Sequence, residues 1–296
     1  MNINRREVLR LITKTTVVSL LPLSACSEDK LFETGEQNDG DSEELENNDD
    51  LEAANEPSED NPQDQETETT IDQATGWAAG GTSSMREKEA YPDPFSDIVS
   101  DCLLVGATTI GPCTVEEEFH REDISEGWRG VPLRLGLKIM NEACSPIVGA
   151  KVKIWHTSNS GSYSGQTPNN AACLMDADFA SQNFFRGHQI TDTNGIVFFD
   201  TCFPGWYRGR VIHIHFEVLI ENTRAYASQL LFPEDIAQDI CANHSEYRDF
   251  GTPDVNFSTD SVLDNIPADK LDRNILHIEK MSDGVMLGTK VLTILS

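Results

Sequence analysis

The chain has 296 residues, a length that allows one or two domains, and carries a formal net charge of −28. A surface this acidic repels a polyphosphate backbone, which argues against nucleic acid as a partner. The acid is concentrated: residues 27–75 hold 19 acidic residues against one basic residue, Lys30, and supply −18 of the −28. The remainder, roughly 220 residues, is long enough to bury a core without covalent staples.

Residues 1–26 read as an export signal. Arg5, Arg6 and Arg10 give a positive start, and a mostly apolar run follows over residues 11–23, too short to span a bilayer. The segment ends in Leu23-Ser24-Ala25-Cys26, which resembles a bacterial lipobox. That resemblance implies a lipid on Cys26 that anchors the protein to a membrane of the cell envelope without spanning it. The plainer alternative is a secretory signal with an incidental cysteine. Arg5-Arg6 also resembles a twin-arginine signal, although Asn4 and Val8 stand where that signal usually has Ser or Thr and Phe. Residues 27–90 are rich in Glu, Asp, Asn, Gln and Thr, then in Gly and Ser. Such a composition buries too little apolar surface to offset its ordering entropy, so a disordered acidic tether is expected there, as a spacer or a solubilising tail.

Residues 91–296 are expected to form the globular domain. Apolar and polar side chains alternate over residues 131–139 and 150–155, the mark of half-buried strands. Further strands are expected over residues 186–190 and 196–199, separated by the turn Asp192-Thr193-Asn194-Gly195. Others are expected through residues 216–220, 228–232, 275–278 and 285–295. A short helix is expected over residues 234–241 in an otherwise loop-rich stretch, 233–270. Many short strands with Gly, Pro and Asn turns predict an all-β sandwich with long loops. Besides Cys26 there are six cysteines: Cys102, Cys113, Cys144, Cys173, Cys202 and Cys241. In an exported protein they predict up to three disulfides, with the pairing open.

The densest chemistry is Pro204-Gly205-Trp206-Tyr207-Arg208-Gly209-Arg210, followed by His213-Ile214-His215-Phe216. On a strand, residues two apart share a face, so His213 and His215 present two imidazoles side by side. That is half of a site for iron, zinc, copper or nickel. The spacing alone does not choose among these metals, nor between a metal site and two histidines on a strand face. A zinc hydrolase lacks a third ligand at the usual spacing.

Upstream lies Trp155-His156-Thr157-Ser158-Asn159-Ser160-Gly161-Ser162-Tyr163-Ser164-Gly165, and between the two comes Arg186-Gly187-His188-Gln189-Ile190-Thr191-Asp192. The order Tyr, Pro-Gly-x-Tyr-x-x-Arg, His-x-His resembles the intradiol ring-cleavage dioxygenases, the family of catechol and protocatechuate 3,4-dioxygenases, in its secreted branch. The resemblance covers roughly residues 111–232. It implies a β-sandwich of the intradiol type and a mononuclear non-haem Fe(III) held by Tyr163, Tyr207, His213 and His215. It further implies that Tyr207 leaves the metal to help take up substrate protons, that Arg210 stabilises negative charge on the substrate, and that Gln229 stands beside the site. The substrates it implies are a catechol-type aromatic and O2, and the product a muconate-type diacid. The alternative is an exported binding module that kept the strands without the iron.

Two departures stand out. Gly111-Pro112-Cys113-Thr114 occupies the place where cytoplasmic relatives often show Gly-Pro-Tyr-Tyr, so a pocket tyrosine is replaced and the aromatic substrate stays open. The helical segment that pairs subunits in the catechol branch is not visible, so no oligomeric state is implied. His120, His156, His188, His244 and His277 read as structural or surface residues.

Overall fold

Eight strands form two four-stranded sheets in the computed structural model, which describes residues 70–96, 102–116, 118–165 and 170–295. The expected export signal, Cys26 and the tether up to residue 69 lie outside the described residues. Among the described residues no helix is long and apolar enough to cross a membrane.

The strands are β1 (Pro132–Asn141), β2 (Lys151–Trp155), β3 (Arg186–Ile190), β4 (Ile196–Cys202), β5 (His213–Ile220), β6 (Thr223–Leu231), β7 (His277–Lys280) and β8 (Met286–Ile294). One sheet runs β4-β1-β8-β7 and the other β3-β2-β5-β6. Every pair is antiparallel except β1 with β8, which run parallel. A parallel pair cannot be closed by a hairpin, so nearly the whole domain lies between these two strands. Two helices accompany the sheets: α1 (Asn170–Cys173) and α2 (Glu234–Asn243).

Period-two alternation explains the core. In β1, Leu133, Leu135, Leu137 and Ile139 share a face and are fully buried. They join Val152 and Ile154 of β2 and Ile214, Phe216 and Val218 of β5 in one cluster between the sheets. This leaves the opposite face of β5, with His213 and His215, for other work. Those histidines are also buried, because loops cover the outer face of the second sheet. The all-β sandwich expected from the sequence is the fold observed, with few helices.

Two expectations need correction, and the disulfide count, expected to be at most three, is fixed at two. The tether was expected to reach Ala90, but residues 70–90 pack on the domain. Trp77 enters the main core, and Lys280 Nζ lies 4.1 Å from its ring centroid. The backbone of Ala78 donates to Gly284 O at 2.8 Å, and Lys88 pairs with Asp200 at 2.7 Å. A few apolar anchors hold this stretch (Trp77, Ala78, Met85), too few to produce a periodic signal among glycines and serines. Of the three allowed disulfides two form, Cys102–Cys144 and Cys113–Cys173, while Cys202 and Cys241 are buried free thiols. Finally, β6 begins at Thr223, five residues before the expected start, because its partly exposed first half lacks an apolar alternation.

Candidate metal centre

The donors sit on two loops and one strand. β5 supplies His213 and His215, held in register by Trp155 of β2 and Gln229 of β6 opposite His215. The loop after β2 supplies Tyr163, and the turn before β5 supplies Tyr207. Glycines allow these two loops to touch. A Cβ on Gly161, whose φ is +83°, would sit 2.0 Å from Trp206 O, and one on Gly205 would sit 2.3 Å from Asn159 O. Thr157 Oγ1 donates to Gly205 O at 2.6 Å and ties the two backbones further. Thus the sequence around each tyrosine, Ser-Gly-Ser-Tyr and Pro-Gly-Trp-Tyr, contains the residue that lets the other approach.

The four expected donors converge. His213 Nε2 lies 3.1 Å from His215 Nε2, 3.2 Å from the Tyr207 hydroxyl and 3.5 Å from the Tyr163 hydroxyl. His213 Nδ1 is 2.7 Å from Val211 O, so it donates there and leaves Nε2 as a bare lone pair. Burial reinforces this: it pushes the His213 pKa well below its ordinary value and that of His215 down to about 3, with Arg210 adding to both. Burial likewise raises both tyrosine pKa values, that of Tyr163 strongly, while the nearby Arg210 opposes the shift at Tyr207. Two neutral imidazoles and two phenols therefore face one another in a dry site. Metal–nitrogen bonds of about 2.0–2.1 Å give polyhedron edges of roughly 2.9–3.4 Å, close to the spacings here. The donor set fits a mononuclear metal, and two hard phenolate oxygens favour a hard, highly charged ion such as Fe(III).

The surroundings hold this set in place. Trp155 stacks on His215, with ring centroids 5.0 Å apart and planes 1° apart. Gly111 also packs against that imidazole, where a Cβ would come within 2.9 Å of Cε1. Arg186 of β3 is buried and donates to Ser164 O from Nε at 3.0 Å and to Cys113 O from Nη1 at 2.8 Å. It thereby joins the Tyr163 loop to the 111–114 turn. The Cys113–Cys173 disulfide joins that turn to α1, whose Cys173 O accepts from Tyr163 N at 3.0 Å.

Beside the donors opens a cleft of about 430 Å³. Tyr207, His215, Arg210 and Gln229 line it together with Gly111, Cys113, Ala172 and Met175. Arg210 Nη2 donates to Gln229 Oε1, and Arg210 Nη1 lies 3.4 Å from the Tyr207 hydroxyl. Gln229 Nε2 and His215 Nδ1 are buried without a hydrogen-bond partner among the described residues. Tyr163, 1% exposed, does not line the cleft, whereas Tyr207 does. A second hollow, of about 290 Å³ between α2 and residues 253–257, contains none of the four donors.

Every expected site residue, Tyr163, Tyr207, Arg210, His213, His215 and Gln229, is therefore brought to one place. The other histidines stand apart from the donor set. His156 is buried between Thr157 O and Thr201 Oγ1, and His120 stacks on His188. The sequence reading missed Trp155, Arg186 and Asp260, the last of which pairs with Arg210 at 3.0 Å. The Arg186-Gly187 pair was visible as a motif; Asp260 left no signal.

Two packed four-stranded sheets, with a largely buried cluster of two tyrosines and two histidines on the outer face of one, define an all-β protein with a candidate metal centre on that sheet. Comparison with known proteins gives it a family. A sequence family described as Dioxygenase matches residues 113–249. An intradiol ring-cleavage dioxygenase from Tetranychus urticae is 30% identical, aligns over 66% of this chain and 95% of its own, and superposes with a TM-score of 0.57. A second solved dioxygenase is 29% identical over 65% of this chain and 94% of its own, with a TM-score of 0.56. No curated protein matches the sequence. The chain belongs to the intradiol ring-cleavage dioxygenase family.

Proposed function

We propose that the chain is a non-haem Fe(III) dioxygenase that opens a catechol-type ring between its two hydroxylated carbons, adds both atoms of O2 and releases a muconate-type diacid. The observation that carries this reading is the convergence of Tyr163, Tyr207, His213 and His215 on one point, with Tyr207 and His215 opening onto a cleft that Arg210 also lines. These four side chains would hold the ion. Fe(III) in such a site supplies a Lewis-acidic, redox-active centre that makes a bound catechol reactive toward O2.

The chain's own residues divide the remaining work. Tyr163 and His213 are fully enclosed and serve as permanent anchors. Tyr207 faces the cleft, and in its ionised form, which a bound ferric ion would favour, its oxygen would be placed to accept a proton from an incoming catechol. The Arg210 guanidinium beside it favours negative charge, both on that phenol and on substrate oxygens in the cleft. Gln229 fixes Arg210 through its carbonyl and keeps its amide N–H free for the substrate. Trp155 and Gly111 enclose His215 and exclude water from that edge.

An exported, lipid-anchored location is part of the proposal. Its support is the Leu23-Ser24-Ala25-Cys26 ending and the presence of two disulfides, which suit an oxidising compartment. The catalytic reading is tested by iron analysis and visible spectroscopy after anaerobic Fe(II) loading and exposure to air. The expected product is a purple-red protein whose band shifts on catechol titration with O2 uptake. A colourless, iron-free protein indifferent to catechol overturns it.

A further inference from the structure

Residues 254–263 lie in the stretch that the sequence marks only as loop-rich, yet the chain turns there to place one carboxylate in the interior. Asp260 is 1% exposed, and its side chain 0%. Three donors converge on it. Arg210 Nε lies 3.1 and 3.0 Å from its two oxygens, Val211 N donates to Oδ2 at 2.9 Å, and Val262 N donates to Oδ1 at 3.0 Å. The turn that carries it is closed by Asp260 N donating to Asn256 O and by Leu263 N donating to Asp260 O, both at 3.0 Å.

A carboxylate this deeply buried needs a cationic partner, and the partner it has is the arginine beside the candidate metal centre. Each nitrogen of the guanidinium then has a neighbour. Its Nε edge faces Asp260, Nη2 donates to Gln229 Oε1, and Nη1 points to the Tyr207 hydroxyl at 3.4 Å. Without Asp260, Gln229 alone would hold a long, flexible side chain at the wall of an open cleft. The same carboxylate also holds the backbone of Val211, two residues before His213, so the charge and the ligand strand are set from one point.

We propose that Asp260 is a positioning residue, which locks the Nε edge of Arg210 so that its two terminal nitrogens are presented to Tyr207, Gln229 and the substrate cleft. The kinetic consequence rests on the function proposed above; the lock itself does not. A competing role, capping of the turn at Val262, is separable. Asparagine's single oxygen can still accept from Val262 N, but its amide nitrogen cannot accept from Val211 N, and it supplies no charge to hold a guanidinium.

The test therefore centres on Asp260→Asn, with Asp260→Ala, Arg210→Ala and the double variant Asp260→Asn/Arg210→Ala beside it. In the metal-free full chain, labelled at arginine nitrogens, the Arg210 Nε–H resonance is identified by its loss in Arg210→Ala. It should be protected from solvent exchange in the natural chain and lose that protection in Asp260→Asn. In iron-loaded protein with catechol as probe, kcat should fall about tenfold in Asp260→Asn and about 100-fold in Asp260→Ala, with KM within about threefold. In the Arg210→Ala background, Asp260→Asn should add no further loss, because the two act as one unit. A purely structural role predicts a lower melting temperature with unchanged kcat, and that result overturns the proposal. So does an Asp260→Asn chain whose Arg210 Nε–H stays protected. If the natural chain turns over no catechol, the catalytic reading fails, while the exchange measurement still decides the lock.

Discussion

The two sheets of the sandwich each bury a charged or polar cluster on their outer side, and the clusters differ in how completely they are satisfied. On the first sheet, Asp200 of β4 meets Lys88 at 2.7 Å and Arg134 of β1 at 2.6 Å, and Arg134 also pairs with Glu122. Both carboxylate oxygens have a cationic partner, and the cluster needs nothing more. On the second sheet, two imidazoles and two phenols bring lone pairs to one point, and Gln229 Nε2 and His215 Nδ1 have no partner among the described residues. A saturated polar cluster is scaffolding; an unsaturated one is built for a ligand that completes it.

The largest expected effects test that contrast directly. His213→Ala removes a buried donor and should abolish iron binding and lower catechol turnover at least about 1,000-fold, read by metal analysis and O2 uptake. Asp200→Ala should leave turnover within about twofold while costing about 2 kcal/mol of stability in a denaturant titration, because Arg134 loses a buried partner. Equal losses of activity in both variants would erase the distinction between the clusters.

Next in size, Arg210→Ala should lower kcat about 100-fold with iron content unchanged, since it removes fixed charge and not a ligand. Iron analysis alongside steady-state kinetics separates the two roles. The disulfides sharpen the comparison at a smaller scale. Loss of either should cost about 2–4 kcal/mol in chemical denaturation, as expected for closed loops of this length. Only Cys113→Ser/Cys173→Ser should also lower turnover, by about tenfold, because that bridge joins the Gly111 turn to the backbone that holds Tyr163. Cys102→Ser/Cys144→Ser should leave kcat unchanged.

The smallest effect on turnover, none, accompanies a pH dependence of stability. Burial holds the His156 pKa at about 3, below its unfolded value near 6.5, so the fold favours the neutral ring. Its contribution to stability is complete above pH 6.5 and is lost as pH falls toward 3, with a slope of about 1.4 kcal/mol per pH unit. His156→Gln should flatten that slope in pH-dependent unfolding and leave the visible spectrum unchanged.

Much of this was legible in the sequence. The expected strands over residues 150–155 and 186–190 nearly coincide with β2 and β3, because alternation on a half-buried sheet is a local signal. The pairing of His213 with His215 on one face follows from a two-residue period. The resemblance supplied Tyr163, Tyr207, Arg210 and Gln229; the fold brings the last three to one cleft and places the Tyr163 hydroxyl 3.5 Å from His213 Nε2. Residues 70–90 were misread because a handful of anchors, Trp77 foremost, give no period. β6 starts earlier than its alternation suggests because in its first half, Thr223-Arg224-Ala225-Tyr226, two residues are exposed and only Ala225 and Tyr226 pack partly against the core.

What the sequence determined by itself is therefore whatever rests on short-range order: the strand character of the domain, the face that carries the histidines, and the ordered motif that defines the family. What only the tertiary structure decided rests on partners far apart in the chain. Trp155 reaches His215 across 60 residues and Arg210 reaches Asp260 across 50, while cysteines 60 apart close over the Tyr163 loop. No local pattern encodes such meetings, because each depends on how two sheets and their loops pack. The completeness of each buried polar cluster, which separates the scaffold from the site, exists only once the chain has folded.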